Sequence, residues 1–171
     1  MDRFIYIDDY IVSDNLDSNH KSYIYGEVDE RDIYNIIKNF DNVNSVLDVG
    51  SGCGKLIVYL SPYYDNVDGI EICEKRYNRS IELANKHNVY NVDIMLGDYK
   101  HLYFGNYNLI YCCNKVFEKE DNKMLYTKIL NEFTGYCILF DYDHMLKHYL
   151  ISTHVVRTSW NKKETIYLFM M

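Results

Sequence analysis

The sequence has little of what a disulfide-bonded, metal-binding or membrane-bound protein needs. Its five cysteines form no C-x-x-C pair and its six histidines show no ligand spacing with them, so we predict buried thiols and no metal site. No run of eighteen apolar residues occurs, and the N-terminus lacks a basic region followed by an apolar one. We therefore expect an intracellular, soluble protein with no membrane contact.

Positive charge and proline are also scarce. Lys and Arg number 18 against 25 Asp and Glu, which gives a formal net charge of −7, and Pro62 is the single proline. Because binding to phosphates of nucleic acid needs a basic surface, this balance predicts no strong nucleic-acid contact and favours a basic partner. The 171 residues suffice to bury the core of one domain, and no repeat or linker interrupts them.

Three of the eight glycines alternate in the segment 46–55, Val-Leu-Asp-Val-Gly-Ser-Gly-Cys-Gly-Lys. Its apolar part, with Asp48 near the end, is typical of a strand covered on both faces of a parallel sheet. Gly50, Gly52 and Gly54 permit positive φ and let a ligand approach the backbone closely. The segment predicts a strand followed by a cofactor-binding turn, and a helix follows over residues 55–60.

The spacing of these glycines decides which cofactor they suit. A dinucleotide turn needs G-x-G-x-x-G and a phosphate-binding loop needs G-x-x-x-x-G-K-[ST], and neither register is present. The observed G-x-G-x-G resembles the first motif of class I S-adenosylmethionine-dependent methyltransferases, whose cofactor carries no phosphate. This resemblance implies S-adenosylmethionine as the cofactor, with Asp48 and the three glycines among its binding residues.

Two further carboxylates follow predicted strands. Glu71 ends the strand 67–71, about 20 residues beyond the first glycine, where a nucleoside-binding unit holds its ribose. Asp98 and Tyr99 follow the strand 92–96 and offer an adenine a hydrogen-bond acceptor and a stacking face. We predict that Glu71 binds the ribose and that Asp98 and Tyr99 hold the base.

The rest of the sequence alternates helices and strands. Further predicted elements are a helix over 74–87, a strand over 107–113, a helix over 121–133, a strand over 136–140 and a hairpin of 151–158 with 165–170. Such alternation predicts an α/β fold with a doubly wound, mostly parallel, Rossmann-like sheet of seven strands and a C-terminal antiparallel hairpin.

The segment ahead of the first strand has the pattern of an amphipathic helix over residues 29–40. We predict a single methyltransferase domain over residues 1–171. In it, residues 1–40 form an N-terminal lid loop and helix, and residues 41–171 form the cofactor-binding and catalytic core.

Several short motifs occur in an order that is more specific than the glycine turn alone. They are Tyr25-Gly26-Glu27 before the first helix, Asn114-x-x-Phe117 after the fourth strand, and Ser159-Trp160 followed by Tyr167 in the hairpin. Together with the glycine turn they resemble the disruptor-of-telomeric-silencing (Dot-type) histone lysine methyltransferases, over about residues 23–170. The resemblance implies methyl transfer to a lysine of a protein substrate, a histone or a nucleosome.

The same resemblance implies roles for individual residues. Tyr25 and Glu27 close over the methionine end of the cofactor, while Asn114 contacts the cofactor and lines the methyl-transfer channel. The aromatic walls of that channel are Phe117, Trp160 and Tyr167. A lysine amine has an ordinary pKa near 10.4, so a channel that desolvates it favours the neutral form, which can attack a methyl group.

Two positions depart from the pattern of that family, because Cys113 replaces its first Asn and Lys115 replaces a Phe. A class I methyltransferase of another acceptor, such as a non-histone lysine, a small molecule or an RNA, is therefore an alternative. A non-catalytic cofactor-binding module is a second alternative. The carboxylates at strand ends argue against it, since a chain without the cofactor has no physical need for them.

Overall fold

A seven-stranded sheet forms the centre of the protein in the computed structural model, which describes residues 26–171. The strands are β1 Ser45–Val49, β2 Asn66–Glu71, β3 Ile94–Leu96, β4 Leu109–Cys112, β5 Tyr136–Leu139, β6 Leu150–Val156 and β7 Glu164–Met170. Their order is β3-β2-β1-β4-β5-β7-β6, and β7 runs antiparallel to both β5 and β6 while the other neighbours are parallel. The predicted doubly wound, mostly parallel sheet with an antiparallel hairpin is confirmed.

Within residues 26–171, four α-helices cover the two faces of this sheet. They are α1 Glu30–Ile37, α2 Lys55–Leu60, α3 Glu74–Lys86 and α4 Lys119–Glu132, with short 3-10 helices at Tyr99–His101, Phe104–Asn106 and Lys147–Tyr149. Apolar side chains of α1, α2 and α3 share one buried cluster, whereas those of α4 lie in a second cluster. Since both faces of the parallel strands are covered, the sequences of those strands consist mostly of apolar residues. None of the helices within residues 26–171 is both long and apolar enough to cross a membrane.

Local sequence sets where the first two helices begin. Asp29 caps α1 by accepting a hydrogen bond from the Arg31 backbone N–H at 3.1 Å, so the helix predicted over 29–40 starts one residue later. The helix α2 begins after Gly54, whose φ is +79°. A Cβ at Gly54 would lie 2.7 Å from the Cβ of Ser80 on α3, so both conformation and space require glycine there.

The direction of the connections creates a crevice at one edge of the sheet. From β1 the chain winds outward to β2 and β3 on one side, and then returns to β4 on the other side of β1. Ligands of open α/β sheets bind beyond the carboxyl ends of the strands at such a reversal of strand order. The loops after β1, β2, β3 and β4 therefore meet where the sequence predicts the cofactor.

A pair of short segments covers this edge. The strap, residues 26–29, runs antiparallel to the hairpin linker, residues 157–163, which joins β6 to β7. Val28 forms a β-bridge with Thr158, and backbone hydrogen bonds of 2.8 Å flank the bridge on both sides. The start of the described chain is thus fastened to a segment about 130 positions later in sequence.

Candidate functional site

A cavity of about 540 Å³ opens at the carboxyl ends of the central strands. Its wall combines residues that follow strands with residues of the strap and the hairpin linker. The β3 end of the cavity is formed by Gly50, Glu71, Asp98, Tyr99 and Phe117, and the hairpin end by Gly26, Cys113, Lys115, Ser159, Trp160 and Glu164. Cavities of this size are typical of sites for small molecules and cofactors.

The glycine turn brings bare backbone to the cavity. Gly50 has φ +77°, and a Cβ built there would meet nothing within 4 Å, so this part of the turn faces open space. The Gly50 N–H donates to the Ile70 carbonyl at 2.9 Å, which fixes the turn against β2. The other two predicted glycines do not line the cavity. Gly52 donates its N–H to the Glu71 carboxylate, and Gly54 is the residue after which α2 begins.

Glu71 lies at the β3 end of the cavity and is almost fully buried. One carboxylate oxygen accepts from the Gly52 N–H at 2.8 Å, and the other accepts from the Cys73 N–H at 2.8 Å. The guanidinium of Arg76 lies 3.9 Å from the same carboxylate. Each carboxylate oxygen has a second lone pair, so Glu71 can still accept a hydrogen bond from a hydroxyl group of a ligand.

Asp98 and Tyr99 form the neighbouring part of the wall. The Asp98 side chain caps a 3-10 helix by accepting from the Lys100 N–H at 3.0 Å. The Tyr99 hydroxyl donates to the Asp121 carbonyl at 2.9 Å, and burial raises the pKa of Tyr99 above its usual value. Its ring is stacked with that of Phe117, with centroids 6.1 Å apart and planes 19° apart. Phe117, predicted at the methyl-transfer channel, therefore stands beside Tyr99.

At the hairpin end a buried carboxylate joins three parts of the chain. The Trp160 indole N–H donates to Glu164 Oε2 at 2.9 Å, and the Lys115 ammonium lies 3.0 Å from Glu164 Oε1. Burial raises the pKa of Glu164, but the hydrogen bonds from Trp160, Lys115 and Asn161 together with the charge of Lys115 outweigh it, and the net pKa lies below its usual value. The sequence analysis did not identify Glu164, because its partner Lys115 lies 49 positions away and no local spacing pattern indicates such a pair.

The strap carries two of the predicted residues and closes the hairpin end. Gly26 lies so close to Trp160 that a Cβ would come within 2.4 Å of the indole ring, so only glycine fits. The Glu27 N–H donates to the Ser159 hydroxyl at 3.1 Å, and its carboxylate pairs with Lys55 at 2.7 Å. The carboxylate of Glu27 thus turns to α2 and is not part of the cavity wall.

Tyr25, the first residue of the predicted Tyr-Gly-Glu motif, lies outside the described residues. Its proposed role at the cofactor stays a prediction.

Asn114 lies outside the cavity wall and is fully buried. Its side-chain oxygen, Oδ1, accepts hydrogen bonds from the Phe140 N–H at 2.9 Å and the Asp141 N–H at 3.1 Å. Its amide nitrogen lies within hydrogen-bond distance of Asn122 Oδ1 and the Tyr126 hydroxyl, at 2.7 and 3.2 Å. The sequence prediction placed Asn114 in the channel, but these bonds direct the side chain to β5 and α4.

Two other predicted residues also lie behind the wall. Tyr167 lies on β7, where its ring contacts Tyr142 with centroids 4.7 Å apart, and it does not line the cavity. Asp48 is buried inside the sheet, where desolvation and the nearby charge of Glu71 raise its pKa to about 8. The prediction placed Tyr167 in the channel and Asp48 at the cofactor, and neither side chain lines the cavity.

Charges in the wall are arranged as neighbouring pairs. Each cation lies beside a carboxylate: Arg76 beside Glu71, Lys100 beside Asp121 at 2.9 Å, and Lys115 beside Glu164. Asp98 adds a further carboxylate, with Lys100 3.9 Å away. Within residues 26–171 no three His, Cys, Asp or Glu side chains are grouped as metal ligands would be.

Comparison with known proteins agrees with this geometry. The sequence pattern of the methyltransferase domain family matches residues 46–133, from β1 to the end of α4. No curated protein matches the chain.

Solved structures with the same fold are methyltransferases of different kinds. An RNA methyltransferase from Salinibacter ruber, in complex with S-adenosyl-L-homocysteine, has a TM-score of 0.67 and 15% identity, covering 82% of this chain and 88% of that one. The magnesium protoporphyrin IX methyltransferase of Synechocystis PCC 6803, with SAM bound, has a TM-score of 0.68 and 18% identity, covering 82% and 77%. A SAM-dependent methyltransferase from Aquifex aeolicus has a TM-score of 0.63 and 19% identity, covering 84% and 89%.

At these identities the structural likeness shows the fold alone, and it does not single out the Dot-type enzymes. The ligands of the first two structures agree with the predicted cofactor, S-adenosylmethionine. The matched family covers half of the sequence, including the glycine turn, Glu71 at the end of β2 and Asp98 after β3. The chain belongs to the methyltransferase domain family.

Proposed function

We propose that the protein is an S-adenosylmethionine-dependent N-methyltransferase whose acceptor is a lysine side chain of a basic protein, with histones as the first candidates. The observation that carries this proposal is the composition of the cavity's two ends. The β3 end offers the groups that a nucleoside needs, and the hairpin end offers an aromatic ring with a buried carboxylate behind it.

The residues of the β3 end fit the cofactor. Glu71 can accept from ribose hydroxyls, and Asp98 can accept from the amino group of adenine. The stacked rings of Tyr99 and Phe117 provide an apolar face for the base, and the bare backbone at Gly50 leaves room beside the ribose and the amino-acid part. When bound, this cofactor supplies a methyl group attached to a positively charged sulfur.

The residues of the hairpin end can prepare an amine for that methyl group. Trp160 and Cys113 give the wall an apolar surface, which desolvates an entering amine and lowers its pKa toward the neutral form. An amine that arrives as an ammonium would pair with Glu164, and after it loses one proton to water the neutral amine would still donate an N–H to Glu164 with its lone pair free. Glu164 would hold the amine in place to receive the methyl group of the bound cofactor, and the proton that the methylated nitrogen gives up would leave to water.

Charge outside the cavity supports a basic protein as the substrate. The chain carries a formal net charge of −7. Five carboxylates lie in the segments that follow β4 and β5, and one of them, Asp121, lines the cavity: Glu118, Glu120, Asp121, Asp141 and Asp143. A negative surface raises the local concentration of a cationic substrate and repels nucleic acid.

The proposal is tested by transfer of labelled methyl groups from S-adenosylmethionine to nucleosomes, free core histones and bulk RNA in parallel. We expect label on a histone lysine, located by mass spectrometry, and none on RNA. The control is Glu71→Gln, because Glu71 lies in the wall of the cavity, whereas a substitution of the buried Asn114 would confuse activity with folding. Label on RNA alone, or no label on any protein despite cofactor binding, would contradict the lysine assignment.

A further inference from the structure

The hairpin end contains a lysine of this chain in the place where a substrate amine would arrive. The Lys115 ammonium lies 3.0 Å from Glu164 Oε1, and both residues line the cavity. The Lys115 side chain is 48% exposed, while that of Glu164 is 8% exposed. The half-exposed Lys115 side chain can therefore rotate into solvent, whereas the buried Glu164 carboxylate is confined by its neighbours.

Glu164 is held in place by neighbours that do not depend on Lys115. Its Oε2 accepts from the Trp160 indole N–H at 2.9 Å and lies 3.5 Å from the Asn161 amide nitrogen. Its Oε1 also accepts from the Thr165 N–H at 3.3 Å. When Lys115 moves away, a buried and fixed carboxylate loses its positive partner, and an incoming cation compensates for that loss better than a neutral group does.

We propose that Glu164 selects an amine acceptor, and that the Lys115 ammonium occupies the amine position until a substrate displaces it. This inference rests on the proposed methyl transfer to an amine and names the residues that recognise that amine. An alcohol can donate a hydrogen bond to Glu164 but carries no charge to replace that of Lys115. A carboxylate or phosphate would be repelled. Glu164 is thus a residue that determines specificity, and Lys115 competes with the substrate.

The chain contains a built-in reporter for this position. Trp160 is the single tryptophan of the sequence, and its indole N–H donates to Glu164. In protein labelled with nitrogen-15 at tryptophan, one indole NMR signal therefore reports on the Glu164 carboxylate. Titrations with n-butylammonium and with 1-butanol compare a cationic and a neutral probe of the same length, without cofactor and without turnover.

We expect Lys115→Met to bind n-butylammonium at least tenfold more tightly than the wild type, with no change for 1-butanol. Glu164→Gln keeps an acceptor for the indole N–H but lacks the charge, and we expect it to bind the two probes equally. Lys123→Met, on the exposed side of α4, removes the same charge away from the cavity and should behave as wild type.

Equal binding of the two probes by Lys115→Met, or an unchanged preference for n-butylammonium in Glu164→Gln, would overturn the inference. If Glu164→Gln fails to fold, the Lys115→Met titration alone still decides. Calorimetric titration of the wild type with S-adenosylmethionine separates this outcome from failure of the proposed function. No cofactor binding would contradict the methyltransferase activity, whereas cofactor binding without a gain in Lys115→Met would contradict only the role of the lysine.

Discussion

The two ends of the cavity are built from different ranges of the sequence. The β3 end takes its polar groups from turns that directly follow β1, β2 and β3, and its main contact joins Gly52 to Glu71 across 19 positions. The hairpin end combines residues of the loop after β4, the strap, the hairpin linker and the start of β7, and one of its contacts joins Glu27 to Ser159 across 132 positions. The cofactor is proposed to bind at the first arrangement, and the acceptor at the second.

This difference shows which part of a methyltransferase site is set by local geometry. At the β3 end, parallel strands with short turns fix the carboxylates at one edge of the sheet, whatever the rest of the chain does. At the hairpin end, Glu164 and Lys115 meet because distant segments dock on each other. Four substitutions test the comparison, from the largest expected effect to the smallest.

Asn114→Ala should destabilise the fold most, because Asn114 joins the carboxyl ends of β4 and β5 beneath the hairpin end. It would leave the buried Phe140 N–H without its acceptor and would break the bonds to Asn122 and Tyr126. We expect a loss of about 3 kcal/mol in the free energy of unfolding and a Tm lower by about 6–12 °C.

Thermal unfolding followed by circular dichroism measures this loss, with the exposed Asn85→Ala of α3 as the matched control. A variant with unchanged Tm but little methyl transfer would instead support the predicted role of Asn114 in the channel.

Glu71→Gln should weaken cofactor binding at the β3 end and leave the hairpin end unchanged. Removal of the charge weakens the hydrogen bonds that hydroxyl groups of the cofactor would donate, which are worth about 1.5–3 kcal/mol with a charged acceptor. The amide nitrogen of Gln cannot accept a hydrogen bond, so the variant also loses the bond from either the Gly52 or the Cys73 N–H. We expect the Kd for S-adenosylmethionine to rise about 10- to 100-fold by calorimetry. The indole signal of Trp160, at the hairpin end, should stay in place. A Kd within a factor of two of the wild type would exclude Glu71 as the ribose ligand.

Asp48 makes stability depend on pH. Its pKa is raised to about 8 in the folded protein by burial and by Glu71, against about 3.9 in an unfolded chain. The folded state therefore keeps a proton that the unfolded state releases above pH 4, so this contribution to stability is lost as the pH rises to 8. Between pH 6 and 8 we expect a decrease of about 2 kcal/mol.

Urea unfolding at several pH values measures the decrease, and Asp48→Asn should remove it. If the free energy of unfolding depends on pH in the same way in the wild type and in Asp48→Asn, then Asp48 is ionised in the folded protein and this prediction is wrong.

Arg157→Ala should loosen the strap with a small effect. Arg157 pairs with Asp29 at 3.0 Å and with Asp32 at 2.7 Å, but its side chain is half exposed, so each pair contributes well under about 1 kcal/mol. We expect the dissociation rate of S-adenosylmethionine to rise about two- to fivefold, less so in high salt, by stopped-flow Trp160 fluorescence. Lys162→Ala, in the same linker, is the control. A rate that is independent of Arg157 would mean that the strap does not retain the cofactor.

The sequence alone predicted most of the fold and part of the site. Alternation of apolar strands with helices was enough for all seven strands, since each strand type has its own local pattern. Gly50, Glu71, Asp98 and Tyr99 lie in the cavity wall as expected, because they lie at the carboxyl ends of strands or just beyond them. Their roles toward the cofactor stay predictions.

The remaining part of the site depends on contacts that a sequence does not display. A polar residue after the fourth strand can face the ligand or the neighbouring strand, and Asn114 faces β5. Glu164 reads as one residue of a polar linker, and its burial becomes visible only when Trp160 and Lys115 are placed beside it.

The bridge between Val28 and Thr158 also governs when the site can be completed during synthesis of the chain. Strands β1 to β5 and the whole β3 end lie before residue 140, so they can assemble while the hairpin is still inside the ribosome. The strap can pair with Lys55 of α2 early, but its β-bridge to Thr158 cannot form until residue 158 has emerged, and Lys115 cannot meet Glu164 until residue 164 follows. A nascent chain would therefore be able to hold a nucleoside well before it could discriminate between acceptors.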